Sequence, residues 1–330
     1  MGAVNAADAR WMGAALALAT RGRGRTSPNP AVGCVIVRDG TVVGRGWTQP
    51  SGRPHAEAMA LGAAGDRARG ATAYVTLEPC AHVSPRGPAC ADLLVASEVA
   101  RVVVALGDPD PRTNGKGLAR LAAAGIDTAV GVRAAEARVS MAGFLTRLAQ
   151  GRPHVTLKLA TSLDGCIARG NGESQWITGP EARAHAHVER SRHDIILVGR
   201  GTWEMDQPRL DVRLPGLESR SPRRVVLSSA GVTGDAAWID SPAAIANLGG
   251  DHVFIEGGAG AAAAFLAADL VDRLVLYRAP ILIGGGRPAV NDIGLAALSE
   301  AHGRWVQSDA RQLGRDRLEV YERLRCSPGS

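Results

Sequence analysis

The chain has few aromatic residues, which make up 4% of its 330 residues. Proteins that bind single-stranded nucleic acid usually stack the bases on aromatic side chains interleaved with basic residues, so this composition argues against such a surface. The net charge of +6 at pH 7 comes from scattered arginines, and it suits an acidic small molecule at least as well. We therefore expect a phosphorylated small-molecule ligand and no nucleic-acid partner.

Features of membrane and secreted proteins are also missing. No secretory signal is evident, and the apolar run of residues 11–19 is too short to span a bilayer. The cysteines number five, so they form no even disulfide framework, and this favours a reducing compartment. We therefore expect a cytoplasmic protein without a membrane partner.

One stretch carries a pattern of metal ligands. His55 is followed two residues later by Glu57, and Cys80 and Cys90 come downstream. One imidazole and two thiolates are three ligands for tetrahedral Zn²⁺ that leave the fourth position to water, as in catalytic zinc sites. An unligated carboxylate beside such a site can take a proton from the water and return it to a leaving amine. The sequence predicts a zinc-dependent deaminase with Glu57 as its catalytic residue.

The spacing of these residues narrows the class of deaminase. His-x-Glu followed by Pro-Cys is typical of zinc nucleobase deaminases, but here nine residues separate the two cysteines. His82 could be a fourth ligand or a substrate contact, and we predict a substrate contact because a fourth protein ligand would displace the water. The amide of Asn29 could read a pyrimidine edge, although an Asn between two prolines is more often a turn former.

The length and the order of predicted elements indicate two domains, residues 1–150 and 151–330. Strands and helices alternate in the first, which predicts a three-layer α/β domain. In the second, three predicted strands each lead into glycines, which lets backbone amides approach a phosphate. No acidic residue is obviously placed for a ribose hydroxyl, so we expect NADP rather than NAD. The three predicted strands are 194–198, 252–255 and 273–283.

Lysine is nearly absent, since only Lys116 and Lys158 occur among 38 basic residues. Where arginine serves almost everywhere else, a lysine suggests a need for a compact ammonium. We predict that Lys158 lies close to the chemistry of the second domain. The alternative is a structural ion pair with a carboxylate such as Asp164.

Motifs in both halves together resemble the bifunctional deaminase–reductase family of bacterial riboflavin biosynthesis. The resemblance covers nearly the whole chain, and the motifs in this order are highly specific. The motifs that carry it are residues 28–34, 55–57, 76–82, 152–153, 157–160, 162–165, 174–178 and 256–258.

The resemblance implies a cytidine-deaminase-like fold followed by a dihydrofolate-reductase-like fold. It implies deamination of a diamino-ribosylamino-pyrimidinone phosphate, and then reduction of the ribosyl group to ribityl with NADPH. Carried over by position, the zinc ligands are His55, Cys80 and Cys90. We also expect a homo-oligomer. The implied NADPH contacts are Ala160, Trp176, Thr202, Asp206, Gly258, Ala259 and Gly260, and the implied substrate contacts in the reductase are Ser174, Arg190, Leu210, Arg213 and Glu256.

The chain departs from the family pattern at three places. The segment between the zinc cysteines is one residue longer, Thr48 replaces a frequent histidine, and Gln207 follows Asp206 where a second Asp is usual. None of these is an expected ligand. One other hypothesis is a nucleic-acid-editing deaminase with an appended nucleotide-binding domain. Another is a zinc-stabilised scaffold, but a structural zinc site does not need an unligated carboxylate such as Glu57 beside it.

Overall fold

The computed structural model describes residues 5–82 and 84–325 and divides the chain into two compact units, Met1–Gly151 and Arg152–Ser330. Each unit has its own β-sheet and its own hydrophobic core. The mixed α/β class predicted from the sequence is confirmed. Among the described residues, no helix is both long and apolar enough to cross a membrane.

The first unit begins with a helix capped by Asn5, whose side chain accepts from the backbone N–H of Asp8 while the Asp8 carboxylate accepts from that of Asn5. An Asp39-Gly40 turn, with positive φ at both residues, then connects the two strands of a β-hairpin. The elements are α1 Ala6–Ala19, β1 Gly33–Arg38, β2 Thr41–Trp47, α2 Ala56–Ala64, β3 Thr72–Val75, α3 Cys90–Ala96, β4 Arg101–Val104, α4 Lys116–Ala123, β5 Asp127–Val130, α5 Ala134–Ser140 and α6 Ala142–Gln150.

Five strands of the first unit form one sheet in the order β2-β1-β3-β4-β5. β1 is antiparallel to β2 and β3, whereas β3, β4 and β5 are parallel. Because the carboxyl ends of parallel strands meet at the same edge, the segments after β3 and β4 come together. These are the segments that carry Cys80 and the turn 107–115.

Over its described residues, the second unit contains a larger sheet and three α-helices. Its elements are β6 His154–Thr161, β7 Cys166–Ala168, α7 Pro180–Arg190, β8 Ile195–Gly199, α8 Arg200–Asp206, β9 Arg223–Leu227, β10 Ala237–Ile239, β11 His252–Glu256, α9 Ala259–Ala267, β12 Arg273–Arg278, β13 Arg287–Pro288, β14 Trp305–Leu313 and β15 Asp316–Arg323.

Eight of these strands form a sheet in the order β10-β9-β8-β11-β6-β12-β15-β14. The strands from β10 to β12 are parallel, and the β14–β15 hairpin adds two antiparallel strands to one edge. β6 and β11 are neighbours in a register that pairs Lys158 with Glu256. The carboxyl ends of the central strands therefore bring these two residues together.

The structure corrects two expectations for this unit. β12 ends at Arg278 rather than at residue 283, and Pro280, which has no backbone N–H, follows two residues later. The glycine run 284–286 precedes the short strand β13 rather than a helix. The Asp164 carboxylate accepts from the backbone N–H of Ile283 (3.2 Å) and of Gly284 (2.8 Å). The two amides that lead into this glycine run are therefore already bonded within the protein.

Candidate active sites

The predicted zinc ligands lie together in the first unit. His55 is the N-cap of α2, Cys80 follows β3, and Cys90 begins α3. Their ligand atoms all lie within 4.8 Å of one another, with His55 Nδ1 3.2 Å from Cys90 Sγ and 3.6 Å from Cys80 Sγ. Tetrahedral zinc with ordinary bond lengths would separate such atoms by roughly 3.5–3.8 Å. The side chains therefore fit a zinc ion with little movement.

Close packing of α2 on the hairpin places His55. The two glycines of β2 lie directly under the helix, and a Cβ at Gly46 would lie 2.4 Å from the carbonyl oxygen of Ala56, while one at Gly44 would lie 2.2 Å from that of Ala60. Only glycine allows this approach, because any side chain at these positions would push the helix away from the sheet. The first turn of α2 is thus held against the sheet edge.

Glu57 lies in that first turn and is 4% exposed. Burial raises the pKa of this carboxyl to about 7. A hydrogen bond with Cys90 lowers the pKa of the Cys80 thiol to about 4, while Cys80 and burial raise that of Cys90. The Glu57 carboxyl group thus lies against the ligand cluster without being one of its three members.

A pocket of about 280 Å³ opens onto the cluster. Its walls come from the loop before β1, the start of α2 and the segments that follow β3 and β4. The polar side chains that line it are Asn29, Thr48, Arg53, His55, Glu57, Glu78, His82, Ser84, Arg86, Asp108, Asp110 and Arg112.

Asn29 and His82 both line this pocket. The Asn29 amide donates to the carbonyl of Gly52 (3.0 Å) and lies 3.0 Å from His55 Nε2, so it contacts the outer face of a predicted ligand. His82 is not a fourth member of the metal cluster among the described residues. Its Nδ1 is buried without a hydrogen-bond partner, as expected for a group that awaits a ligand.

Two acidic residues of this pocket were not predicted from the sequence. Glu78 is 3% exposed and accepts from four backbone N–H groups, those of Asp108, Gly115, Gly117 and Leu118, at 3.0–3.2 Å. It thereby ties the segment after β3 to the turn after β4.

Asp108 is the second missed residue. It is 8% exposed, and burial raises its pKa to about 6. In contrast, Arg112 holds the pKa of Asp110 at about 2. The signal for Asp108 was the Gly-Asp-Pro-Asp-Pro turn that directly follows a buried strand.

In the second unit, the predicted residues Lys158, Arg190 and Glu256 form one charged cluster. Glu256 Oε1 lies 2.5 Å from Arg190 Nε, and Oε2 lies 3.0 Å from Arg190 Nη2 and 3.7 Å from Lys158 Nζ. Burial would raise the pKa of Glu256, but Arg190 and Lys158 outweigh it and hold the pKa at about 2. Lys158 therefore pairs with Glu256, not with Asp164.

The segment after α8 supplies a further arginine beside this cluster. Arg190 Nη1 donates to the backbone carbonyl of Asp211 (2.9 Å). The side-chain carboxylate of Asp211 lies 3.4 Å from Arg213 Nε. The side chain of Arg213 is 51% exposed. Leu210, a predicted substrate contact in the same segment, is buried and has a positive φ of 56°. Three donors of Arg190 are thus engaged, whereas about half of the Arg213 side chain is open to solvent.

Two strand ends in this unit lead through glycine into helices, as predicted. Gly199 is the N-cap of α8, and Gly258 is the N-cap of α9. The backbone N–H of Gly258 donates to Thr202 Oγ1 (3.2 Å), which joins the two turns. A Cβ at Gly257 would lie 3.1 Å from the Cβ of Ala261 and 3.4 Å from the backbone N of Gly199. These glycine turns, with the first N–H groups of α9 at Ala259 and Gly260, fit a dinucleotide phosphate.

The remaining predicted cofactor and substrate residues lie around this unit. Ala160 is half-buried on β6, where it pairs with Tyr277. Trp176 is 61% exposed, and the guanidinium carbon of Arg183 lies 4.7 Å from its ring centre. Ser174 is half-buried between β7 and α7, and Asp206 ends α8 on the surface.

Comparison with known proteins places each unit in a known class. Residues 5–106 match the cytidine and deoxycytidylate deaminase zinc-binding region, and residues 153–316 match the RibD C-terminal domain. The chain is 40% identical to riboflavin biosynthesis protein RibD of Escherichia coli (strain K12), over 89% of this chain and 94% of that protein. It is 37% identical to the RibD of Aquifex aeolicus (strain VF5), over 96% and 98%.

Solved structures agree with these sequence matches. A structure of Acinetobacter baumannii RibD has a TM-score of 0.86 at 35% identity and covers 96% of this chain and 99% of its own. A Thermotoga maritima structure described as a diaminohydroxyphosphoribosylaminopyrimidine deaminase/5-amino-6-(5-phosphoribosylamino)uracil reductase has a TM-score of 0.87 at 30% identity, with the same coverage.

Fold and sites together define a two-domain enzyme that joins a zinc deaminase to a dihydrofolate-reductase-like reductase. The chain belongs to the RibD family, so it is a bifunctional deaminase and reductase of riboflavin biosynthesis that uses zinc and NADPH. The family resemblance and the cofactors predicted from the sequence are confirmed.

Proposed function

We propose that the first unit deaminates a 2,5-diamino-6-ribosylamino-pyrimidinone 5'-phosphate, and that the second reduces the ribosyl group of the product to ribityl. The observation that carries the first half is the His55, Cys80 and Cys90 cluster with buried Glu57 beside it in one pocket. The Thermotoga relative bears the names of both reactions. We assign residues 1–150 to the deaminase and 151–330 to the reductase.

In the deaminase, His55, Cys80 and Cys90 would hold zinc. Zinc bound there supplies the Lewis acidity that activates a water molecule near neutral pH. Glu57 takes a proton from that water and delivers it to the amino nitrogen that leaves. The water oxygen forms a bond to the ring carbon, the carbon–nitrogen bond breaks, and ammonia departs.

Two neighbours of the cluster would orient the pyrimidine. His82 has a buried nitrogen that lacks a partner, and it would hydrogen-bond to the ring substituents. Asn29 already contacts the carbonyl of Gly52 and the ring of His55, so it would steady the ligand imidazole as well as contact the substrate.

In the reductase, the turn at Gly258, Ala259 and Gly260 would hold a phosphate of NADPH, with Thr202 fixing the turn. NADPH bound there would supply a hydride for C1 of the sugar, whose bond to the ring oxygen would break. The ammonium of Lys158 would donate the proton that the freed ring oxygen needs.

The other predicted residues would surround these two groups. Ala160, Trp176 and Asp206 would contact the cofactor. Ser174, Leu210 and Glu256 would contact the sugar. Arg213, which has the more exposed guanidinium, would bind the substrate phosphate, with Arg190 held behind it by Glu256.

The setting of these reactions is part of the proposal. Among the described residues, Cys34, Cys80, Cys90 and Cys166 form no disulfide, which fits a reducing cytoplasm. We propose that the chain works there as a homo-oligomer on small-molecule substrates.

The test is to incubate the purified zinc-loaded protein with the diamino pyrimidinone phosphate, with and without NADPH, and to identify products by mass. Without NADPH we expect an amino group replaced by oxygen. With NADPH we expect the further gain of two hydrogens. An unchanged substrate in both mixtures, with zinc present at one ion per chain, would contradict the proposal.

A further inference from the structure

The charges that line the deaminase pocket are unevenly paired. Its acidic side chains crowd around the metal ligands and the turn after β4, and they would repel a phosphate. Of the three arginines that line it, Arg112 donates to both carboxylate oxygens of Asp110. In the described part of the chain, Arg53 and Arg86 form no ion pair. The spare positive charge of the pocket therefore lies on these two residues.

Arg53 is the better placed of the two. It lies two residues before His55, and its side chain is half-buried, whereas Arg86 is exposed. The Nε of Arg53 is buried and has no hydrogen-bond partner. A buried N–H without a partner is costly, so this group is suited to meet a ligand.

The rest of the guanidinium of Arg53 lies against the segment between the zinc cysteines. Nη1 donates to the carbonyl oxygen of Arg86 over a long 3.4 Å. A Cβ at Gly87 would lie 3.2 Å from the same Nη1, so the missing side chain leaves room for the guanidinium. This weak contact leaves most of the five N–H groups of the guanidinium available to a ligand.

We propose that Arg53 binds the phosphate of the deaminase substrate and makes this unit selective for the phosphorylated compound. The inference rests on the proposed function, because it presupposes a ribosylamino-pyrimidinone substrate in this pocket. The planar guanidinium can donate two parallel hydrogen bonds to a phosphate. Its unpaired Nε would then gain a partner, and the charge of the phosphate would be neutralised away from the acidic end.

The experiment compares deamination of the substrate with and without its phosphate by the zinc-loaded full-length chain and its Arg53→Gln variant. Hydrogen bonds to charged groups contribute about 1.5–3 kcal/mol, so we expect kcat/KM for the phosphorylated substrate to fall about 10- to 100-fold, through KM. For the unphosphorylated substrate we expect a clearly smaller fall in kcat/KM, since no phosphate contact is lost. Arg53→Lys should recover part of the selectivity, because its charge remains without the fork.

Arg69→Gln is the matched control, because Arg69 lies outside the pocket and its guanidinium is 2.8 Å from Glu98 on the surface. Zinc content and activity on the unphosphorylated compound show that each variant is folded. The inference is overturned if the Arg53→Gln variant keeps the native preference for the phosphorylated substrate. It is also overturned if that preference is lost in the Arg86→Gln variant and in no other. If the native chain deaminates neither compound, the proposed function has failed instead.

Discussion

Glu78→Gln is expected to loosen the turn that borders the deaminase pocket. In the native unit, Oε1 of Glu78 accepts from the N–H groups of Gly117 (3.0 Å) and Leu118 (3.2 Å), and Oε2 from those of Asp108 (3.1 Å) and Gly115 (3.0 Å). Glutamine retains one acceptor oxygen and turns an NH₂ group toward the other pair of N–H groups. Two charge-assisted hydrogen bonds are therefore lost.

The size of the effect follows from these contacts. Each lost bond is worth about 1.5–3 kcal/mol, and side-chain rotation would recover part of the sum, so we expect about 3 kcal/mol. That corresponds to a fall of roughly 6–12 °C in the Tm of the first unit.

Hydrogen exchange measured by mass spectrometry is the direct assay. Peptides that contain the amides of Asp108, Gly115 and Gly117 should exchange about 100-fold faster in the variant, as about 3 kcal/mol requires. The KM of deamination should rise because Asp108 lines the pocket, while the zinc content and the reductase activity should not change. Glu136→Gln, at an exposed ion pair with Arg133, is the control. Unchanged exchange in these peptides would refute the reasoning.

Further predictions concern the metal and the charged cluster of the second unit. Cys90→Ser should lose zinc, whereas Glu57→Gln should retain it and lose about 10²- to 10⁴-fold in deamination but not in reduction; metal analysis and kinetics with pre-deaminated substrate check both. Lys158→Ala should sharply lower reductase kcat with NADPH affinity largely kept, and an unchanged kcat would remove this lysine from the mechanism. Glu256→Ala should mainly raise the KM of reduction, because it also releases Arg190. The pKa of Glu256 is depressed to about 2, so its ion pairs should stabilise the unit fully above about pH 4.5, and this stability should be lost as the pH falls toward 2. Unfolding measured over a pH series for the native chain and for Glu256→Gln checks this. The reasoning is contradicted if the native chain loses stability between pH 8 and 6 and the variant does not.

Local patterns in the sequence were sufficient for several elements. An Asp-Gly pair between two apolar runs predicts a hairpin, and Asp39-Gly40 stands directly before β2 (Thr41–Trp47). The hairpin of β14 and β15 was not predicted, because most β14 side chains are exposed and no apolar alternation reveals the strand. The end of β12 could have been read from Pro280, which cannot continue a central ladder.

The sequence by itself determined the chemistry of the zinc cluster, because residue type and spacing limit what His55, Glu57, Cys80 and Cys90 can do. Only the tertiary structure decided which charges meet. Lys158 and Glu256 lie nearly a hundred residues apart and pair because β6 and β11 are neighbours in one register. Strand order and register depend on how whole faces pack, which no short motif encodes.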